Sequence, residues 1–184
     1  MDLIKNYYSL ISTLFFVLII VIAHFFSTNN YDWTKNTISD LGSQGYDRKL
    51  IMQLGFLGFG LTLSLGILSK GLTWLTTPIL IYGLCIALTG IFCTKPFFEQ
   101  QTYSTTQSNL HSLFAQIAGI AFSVGILAQV FFAPDRQSKT IHLLFFLLVI
   151  TLSATFGLMK NYQGIFQRVL YLISFLWLIK YYKH

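Results

Sequence analysis

Asp40, His111 and Arg168 are residue types from which acid–base and anion chemistry can be assembled, and in a chain with few charges they stand out. His111 could serve as a general base oriented by Asp40, with Ser39 as nucleophile, because a positioned imidazole can accept a hydroxyl proton. Ser39 and Asp40 are adjacent, so bringing both to one imidazole is geometrically demanding. Arg168 offers a planar fork suited to a phosphate or carboxylate, and Lys160 is near enough in sequence to share such an anion. A metal site would take His24 and His111 with Asp40 or Glu99, since catalytic zinc uses three protein ligands and an open position. No close histidine pair of the H-E-x-x-H kind supports that arrangement, and no metal is expected.

Each residue has a plainer alternative. Ser39 or Asp40 could cap a helix start, with Gly42 or Gly45 supplying a turn. His111 shares a helical face with Ser108, Ala115 and Ala118, so it points into a bundle and could simply bond a carbonyl. Arg168 could snorkel to the interface. His142 falls near the opposite face and His184 is terminal, so neither joins His111. Gln53, Gln116 and Gln129 read as interhelical hydrogen-bond partners.

The elements that position these residues are membrane spans. Of the 184 residues 54% are hydrophobic and 10% charged, against about a quarter charged in a soluble domain, so water could not solvate this surface. A spanning helix needs about 20 apolar residues. Runs of that length fall at residues 7–27, 50–69, 72–93, 110–133, 140–159 and 164–182. The sequence therefore predicts an all-α, polytopic transmembrane bundle of six helices in a single domain. The first run lacks a small-x-small cleavage pattern after Phe26 and reads as a retained span rather than a signal peptide.

Alternation of the loops puts the first, third and fifth on one membrane face, and these carry almost every unusual polar group. Small-residue stripes should pack the helices: Gly58, Thr62 and Gly66; Gly83 and Ala87; Ala115, Gly119 and Ser123; Ser153 and Gly157. Tyr7, Tyr8, Trp33, Trp74, Trp177, Tyr181 and Tyr182 lie near span ends and read as interface anchors. Cys85 and Cys93 are too far apart along one helix to bridge.

Twelve Lys and Arg against six Asp and Glu give a net charge of +6, but the cations are scattered at helix ends rather than gathered in a stripe. That pattern suits anionic headgroups and excludes a nucleic-acid partner. Lys5, Lys70, Arg136, Lys139, Lys180 and Lys183 fall on the side of the termini; Lys35, Arg48, Lys49, Lys95, Lys160 and Arg168 fall on the other. The count is even, and the longer loops of the second side place the termini in the cytoplasm, the expected location being the inner or plasma membrane of a prokaryote.

Ile38-Ser39-Asp40-Leu41-Gly42 after the first span, Asn109-Leu110-His111 opening the fourth and Gly164-Ile165-Phe166-Gln167-Arg168 opening the sixth carry a resemblance. The chain resembles the domain-of-unknown-function 998 family of six-span membrane proteins over nearly its whole length. The resemblance implies a six-helix bundle with the family pattern on Ser39, Asp40, Gly42, His111, Gly164 and Arg168, and no established reaction. The Ile-Ser-Asp string is also similar to one in six-span eukaryotic proteins of the autophagy-modulator and GPI-lipid-remodelling group, which hints at lipid.

Three functions follow as expectations. The favoured one is a membrane module binding a lipid headgroup or small anionic ligand through Asp40, His111, Arg168 and Lys160. A lipid-modifying hydrolase or transferase using His111 and Asp40 is the second. A small transporter or channel is the third, although the span centres are apolar and no internal repeat is evident. No nucleotide or redox motif is present, so no cofactor is implied, and self-association is left open.

Overall fold

A computed structural model describes residues 2–99 and 102–182, with side chains from residue 7 onward. Lys183, His184 and the Lys5 side chain, which the sequence reading used, lie outside the described residues. Six α-helices follow in order: α1 Asp2–Phe25, α2 Lys49–Lys70, α3 Thr77–Ile91, α4 Thr105–Phe132, α5 Arg136–Leu158 and α6 Gln163–Lys180. There is no strand among the described residues. In hydrocarbon every backbone polar group needs an internal partner, which is why apolar runs of this length become helices.

Five helices are long and apolar enough to cross a membrane, and α3 is shorter. The sequence places the third span at 72–93, but α3 begins only at Thr77. Gly71, at φ +97°, turns the chain away from α2. Thr73 and Thr76 then bond each other's backbone and hydroxyls at 3.0–3.2 Å, and Pro78 lies in the first turn, where a missing N–H costs nothing. The α4–α5 corner is sharper. Pro134 follows the end of α4, and the Asp135 carboxylate accepts from the Ser138 N–H at 2.8 Å to cap α5.

Each helix packs on its sequence neighbour, and α6 returns to α1, so the described helices close a ring. Aromatic side chains fill it. Phe16 of α1 meets Phe56 and Phe59 of α2 at centroid distances of 5.3 and 5.1 Å, and Phe175 of α6 at 5.8 Å. The cluster continues through Tyr82 of α3 and Phe122 of α4 to Trp177 of α6. Trp177 is fully buried and donates its Nε1–H to His142 Nδ1 at 3.1 Å, and Tyr8 is buried against Gly66. Neither is the interface anchor that its position near a span end suggests. Distance along the helix locates a ring in depth, whereas the face of the helix decides whether it meets lipid or protein.

The small-residue stripes divide in the same way. Gly60 and Gly83 bring α2 and α3 together so closely that a Cβ on Gly60 would fall on the Gly83 carbonyl and within 2.8 Å of Ala87 Cβ. Gly58 and Gly66 accommodate Phe15 and Tyr8. Ala115 and Gly119 on α4 and Ser153 and Gly157 on α5 are exposed, and no atom lies within 4 Å of a Cβ built on either glycine. The inward face of α4 is instead Ala118, Ala121, Phe122, Gly125 and Ile126. Gly60→Leu should therefore destabilise the bundle by about 1–3 kcal/mol or more through overpacking, while Gly119→Ala should stay within about 0.5 kcal/mol of the parent. Thermal unfolding in detergent micelles measures both.

Candidate functional site

The first, third and fifth loops meet at one end of the bundle, and the first loop is a folded cap rather than a tether. Its opening turn is held by Asp32, whose carboxylate accepts from the Thr34 N–H at 2.9 Å and the Thr34 hydroxyl at 2.6 Å. A short 3-10 turn, Ser39–Gly42, follows. Asp40 caps its entry: the carboxylate accepts from Thr37 N–H at 2.7 Å, and Asp40 N–H donates to Thr37 Oγ1 at 3.2 Å. This reciprocal pair satisfies the donors that a helix start leaves orphaned.

The cap is fastened to α6. Gly164 N–H and Ile165 N–H donate to the carbonyls of Lys35 and Thr34 at 3.1 and 3.2 Å, and Gln167 Oε1 accepts from Ile38 N–H at 2.6 Å. Gly164 is required because a Cβ there would run into the Trp33 and Asn36 carbonyls. Arg168 Nη1 lies 2.9, 3.1 and 2.8 Å from the carbonyl oxygens of Trp33, Asn36 and Gly164, and Nη2 donates to the Tyr31 hydroxyl at 2.6 Å. Tyr31 passes the chain of bonds on, donating to the Thr37 carbonyl at 2.8 Å. Burial pushes the Tyr31 phenol up to about 12 despite the neighbouring guanidinium, so it stays a donor.

A second fastening joins the cap to the third loop. Gln44 donates through Nε2 to the carbonyls of Ser104 (2.9 Å) and Cys93 (3.3 Å), accepts through Oε1 from Ser104 N–H (2.8 Å), and sends its own N–H to Thr94 (3.0 Å). Cys93 is buried beneath it, with its thiol accepting from Gln53 Nε2 at 3.1 Å.

His111, one turn and a half into α4, is buried. Its Nδ1 lies 2.8 Å from the Phe92 carbonyl and 3.1 Å from that of Thr89. Carbonyls only accept, so Nδ1 carries the proton and Nε2 is the basic nitrogen of the neutral ring. The edge of the ring meets Phe56 at 6.3 Å. Asp40 and His111 lie within electrostatic range of one another but share no hydrogen bond among the described residues.

These positions alter the expected chemistry. Arg168 makes no ion pair with Asp40; the two are joined through Tyr31 and Thr37, and the guanidinium is occupied by carbonyls instead of being open to an anion. Asp40 does not orient His111 as a carboxylate orients a catalytic histidine, because Nδ1 is held by backbone. Ser39 is partly exposed within the 3-10 turn, whereas Ser43 has a fully buried hydroxyl without a hydrogen-bond partner. Lys160 and Glu99 are exposed, and His24 is exposed with its ring edge toward Tyr31. No group of three or more His, Cys, Asp or Glu side chains among the described residues could hold a metal ion, so His24, His111, Asp40 and Glu99 do not form one.

The other end of the bundle is open. A cavity of about 580 Å³ lies between the α4–α5 corner and the end of α6. Leu75, Phe132 and Ile141 give it an apolar side; Gln129, Asp135, Ser138, His142 and Lys180 give it a polar one. His142 is oriented by the Trp177 bond, which takes Nδ1 as acceptor and leaves the neutral ring's proton on Nε2. The sequence reading set His142 aside because it looked only for partners of His111. The available signal was Gln129, His142 and Lys180 all falling near the ends of spans that share one face.

Six apolar helices in a ring, five of them long enough to cross a bilayer, define a polytopic integral membrane protein. The chain belongs to the DUF998 family, described as a protein of unknown function, whose sequence model matches residues 10–181. No curated protein and no solved structure matches it.

Two measurements check the cap. Arg168→Gln should destabilise it by on the order of 2–4 kcal/mol, because several charge-assisted bonds to carbonyls are lost together, and Arg168→Lys should recover little of that because an ammonium cannot reproduce the fork. Hydrogen exchange of residues 31–44 reads the effect directly. For Asp40, burial raises the carboxyl's pKa against the opposing bonds from Thr37 and Asn36 and the attraction of His111. A raised carboxyl favours the folded state when protonated, so its contribution is present at low pH and lost as pH rises through the raised value. Asp40→Asn should thus melt higher than the parent at alkaline pH, with the difference closing toward acid pH.

Proposed function

We propose that this protein is a membrane-embedded binding module for a lipid headgroup or similar anionic amphiphile, and that the ligand sits in the cavity at the α4–α5 corner. The observation that carries this reading is the cavity's two-sided lining at the end of the bundle. Its volume falls within the few hundred to about a thousand Å³ usual for ligand sites, and an apolar wall faced by a few polar groups fits an amphiphile lying across the boundary of the bilayer. Lys180 supplies a cation on a flexible stem for an oxyanion, and Gln129 and His142 add polar character to the wall beside it.

The charge distribution supports an orientation in which this end is cytoplasmic. With Arg168 occupied inside the protein, five loop cations remain on the capped face, Lys35, Arg48, Lys49, Lys95 and Lys160, against six in the sequence on the side of the termini, Lys5, Lys70, Arg136, Lys139, Lys180 and Lys183. That balance follows the excess of Lys and Arg in cytoplasmic loops, and anionic lipid is concentrated on that leaflet.

Native mass spectrometry of protein released from phosphatidylglycerol-containing nanodiscs tests the site. Lys180→Gln should reduce retained phosphatidylglycerol about fivefold, the equivalent of roughly 1 kcal/mol for one surface cation, and Lys160→Gln should not. Retention that is indifferent to Lys180 but sensitive to Lys160 would move the ligand to the capped face.

A further inference from the structure

Gln116 of α4 is exposed, off the inward face of its helix, and has no hydrogen-bond partner among the described residues. Its depth can be read from the packing. Gly60 lies about 16 Å from Lys49 and about 15 Å from Lys70 along α2, so it marks the middle of a span bounded by charge. Gly60 abuts Gly83 and Ala87 of α3. On α4, His111 Nδ1 meets the Thr89 carbonyl at 3.1 Å, and a Cβ on Gly125 would lie 3.0 Å from Ile79 Cγ1. The two helices run antiparallel, so Gln116, between those contacts and nearer to His111, stands level with Ala87 and hence with Gly60. Its amide is therefore in the middle of the hydrocarbon, about 15 Å from water on either side. A glutamine is too short to snorkel that far, lipid tails offer it nothing to bond, and a polar group left unmatched there is costly.

We propose that this face of α4 joins two copies of the chain side by side in the bilayer, with the two Gln116 amides paired across a two-fold axis. Copies inserted in one orientation bring each residue to its own depth, so Gln116 meets Gln116 without further requirement. A carboxamide carries both donor and acceptor and is complementary to itself, each NH2 donating to the other's carbonyl. A different membrane protein would need a polar group of its own at the same depth. The surroundings of the amide admit a second helix closely. Ser112, Ala115 and Gly119 share its face and are exposed, and no atom lies within 4 Å of a Cβ on Gly119. None of these residues lines the cavity beside Lys180, so the dimer is independent of any ligand held there.

Single-molecule photobleaching of the dye-labelled full chain in liposomes reads the pairing as the protein-to-lipid ratio is lowered. The parent should bleach in two steps more often than random co-occupancy of a liposome allows. Gln116→Leu should raise the ratio needed for half pairing on the order of tenfold, the equivalent of about 1.4 kcal/mol for two interhelical hydrogen bonds. Gly119→Leu should separate the copies while thermal unfolding in dilute detergent stays at the parent value, because the added side chain meets nothing within its own chain. Oxidation by copper phenanthroline should cross-link Ala115→Cys to its copy above the background of the two buried native thiols. It should leave Leu61→Cys, exposed at nearly the same depth on α2, uncoupled. Random co-occupancy of the parent overturns the proposal. So does pairing that Gln116→Leu leaves unchanged, or cross-linking through Leu61→Cys in place of Ala115→Cys.

Discussion

The guanidinium of Arg168 is the interaction on which the capped end depends. At the edge of the hydrocarbon the first loop must turn back over the bundle, and its carbonyls would lose water without gaining partners. Arg168 gathers three carbonyl oxygens and a phenol, and the first N–H groups of α6 take two more carbonyls from the same loop. A helix start, with its unsatisfied donors, and a loop, with its unsatisfied acceptors, thus complete one another. Gly164, Gln167 and Arg168 all serve this one junction, which gives the Gly-Ile-Phe-Gln-Arg string a physical meaning.

What the sequence made legible follows from which forces are one-dimensional. The need for about 20 apolar residues per span can be read from charge-free runs, and each helix overlaps one of those runs, α3 starting late within its own. Convergence of the first, third and fifth loops also follows from alternation alone, and Gln44 with Ser104 and Lys35 with Gly164 bear it out. Facing is another matter. Gly119 and Gly157 lie in stripes like that of Gly58 and Gly66, yet only the latter two meet a neighbour, because which side of α4 or α5 turns inward is decided by larger residues such as Phe122 and Val149. Trp177 shows the same limit from the other side, since the ring is near a span end and still central in cross-section.

The site residues divide along a similar line. Asp40 and His111 were recognisable because charge is conspicuous among apolar residues, and both lie at the expected end, His111 buried and Asp40 half-buried. Their roles, a turn cap for Asp40 and a carbonyl bond for His111, were among the readings the sequence offered, but it could not choose them, since a residue type says what bonds are available and not which atoms will claim them. Backbone carbonyls claim Arg168 and His111 Nδ1, and the backbone is silent in a sequence. Tyr31 and Gln44 escaped notice for the converse reason: as neutral polar residues they carry no conspicuous signal until the loop folds.

Adjacent helices of this ring differ greatly in length. The 15 residues of α3 rise about 22 Å, while the apolar part of its neighbour α4, Leu110 to Phe132, rises about 35 Å. A bilayer core of about 30 Å cannot match both at once, and mismatch is relieved by local thinning or thickening at a fraction of a kcal/mol per Å. The protein therefore presents its surrounding lipid with a perimeter of unequal hydrophobic height. The membrane must slope around its circumference, lower along the flank of α3 and higher along that of α4.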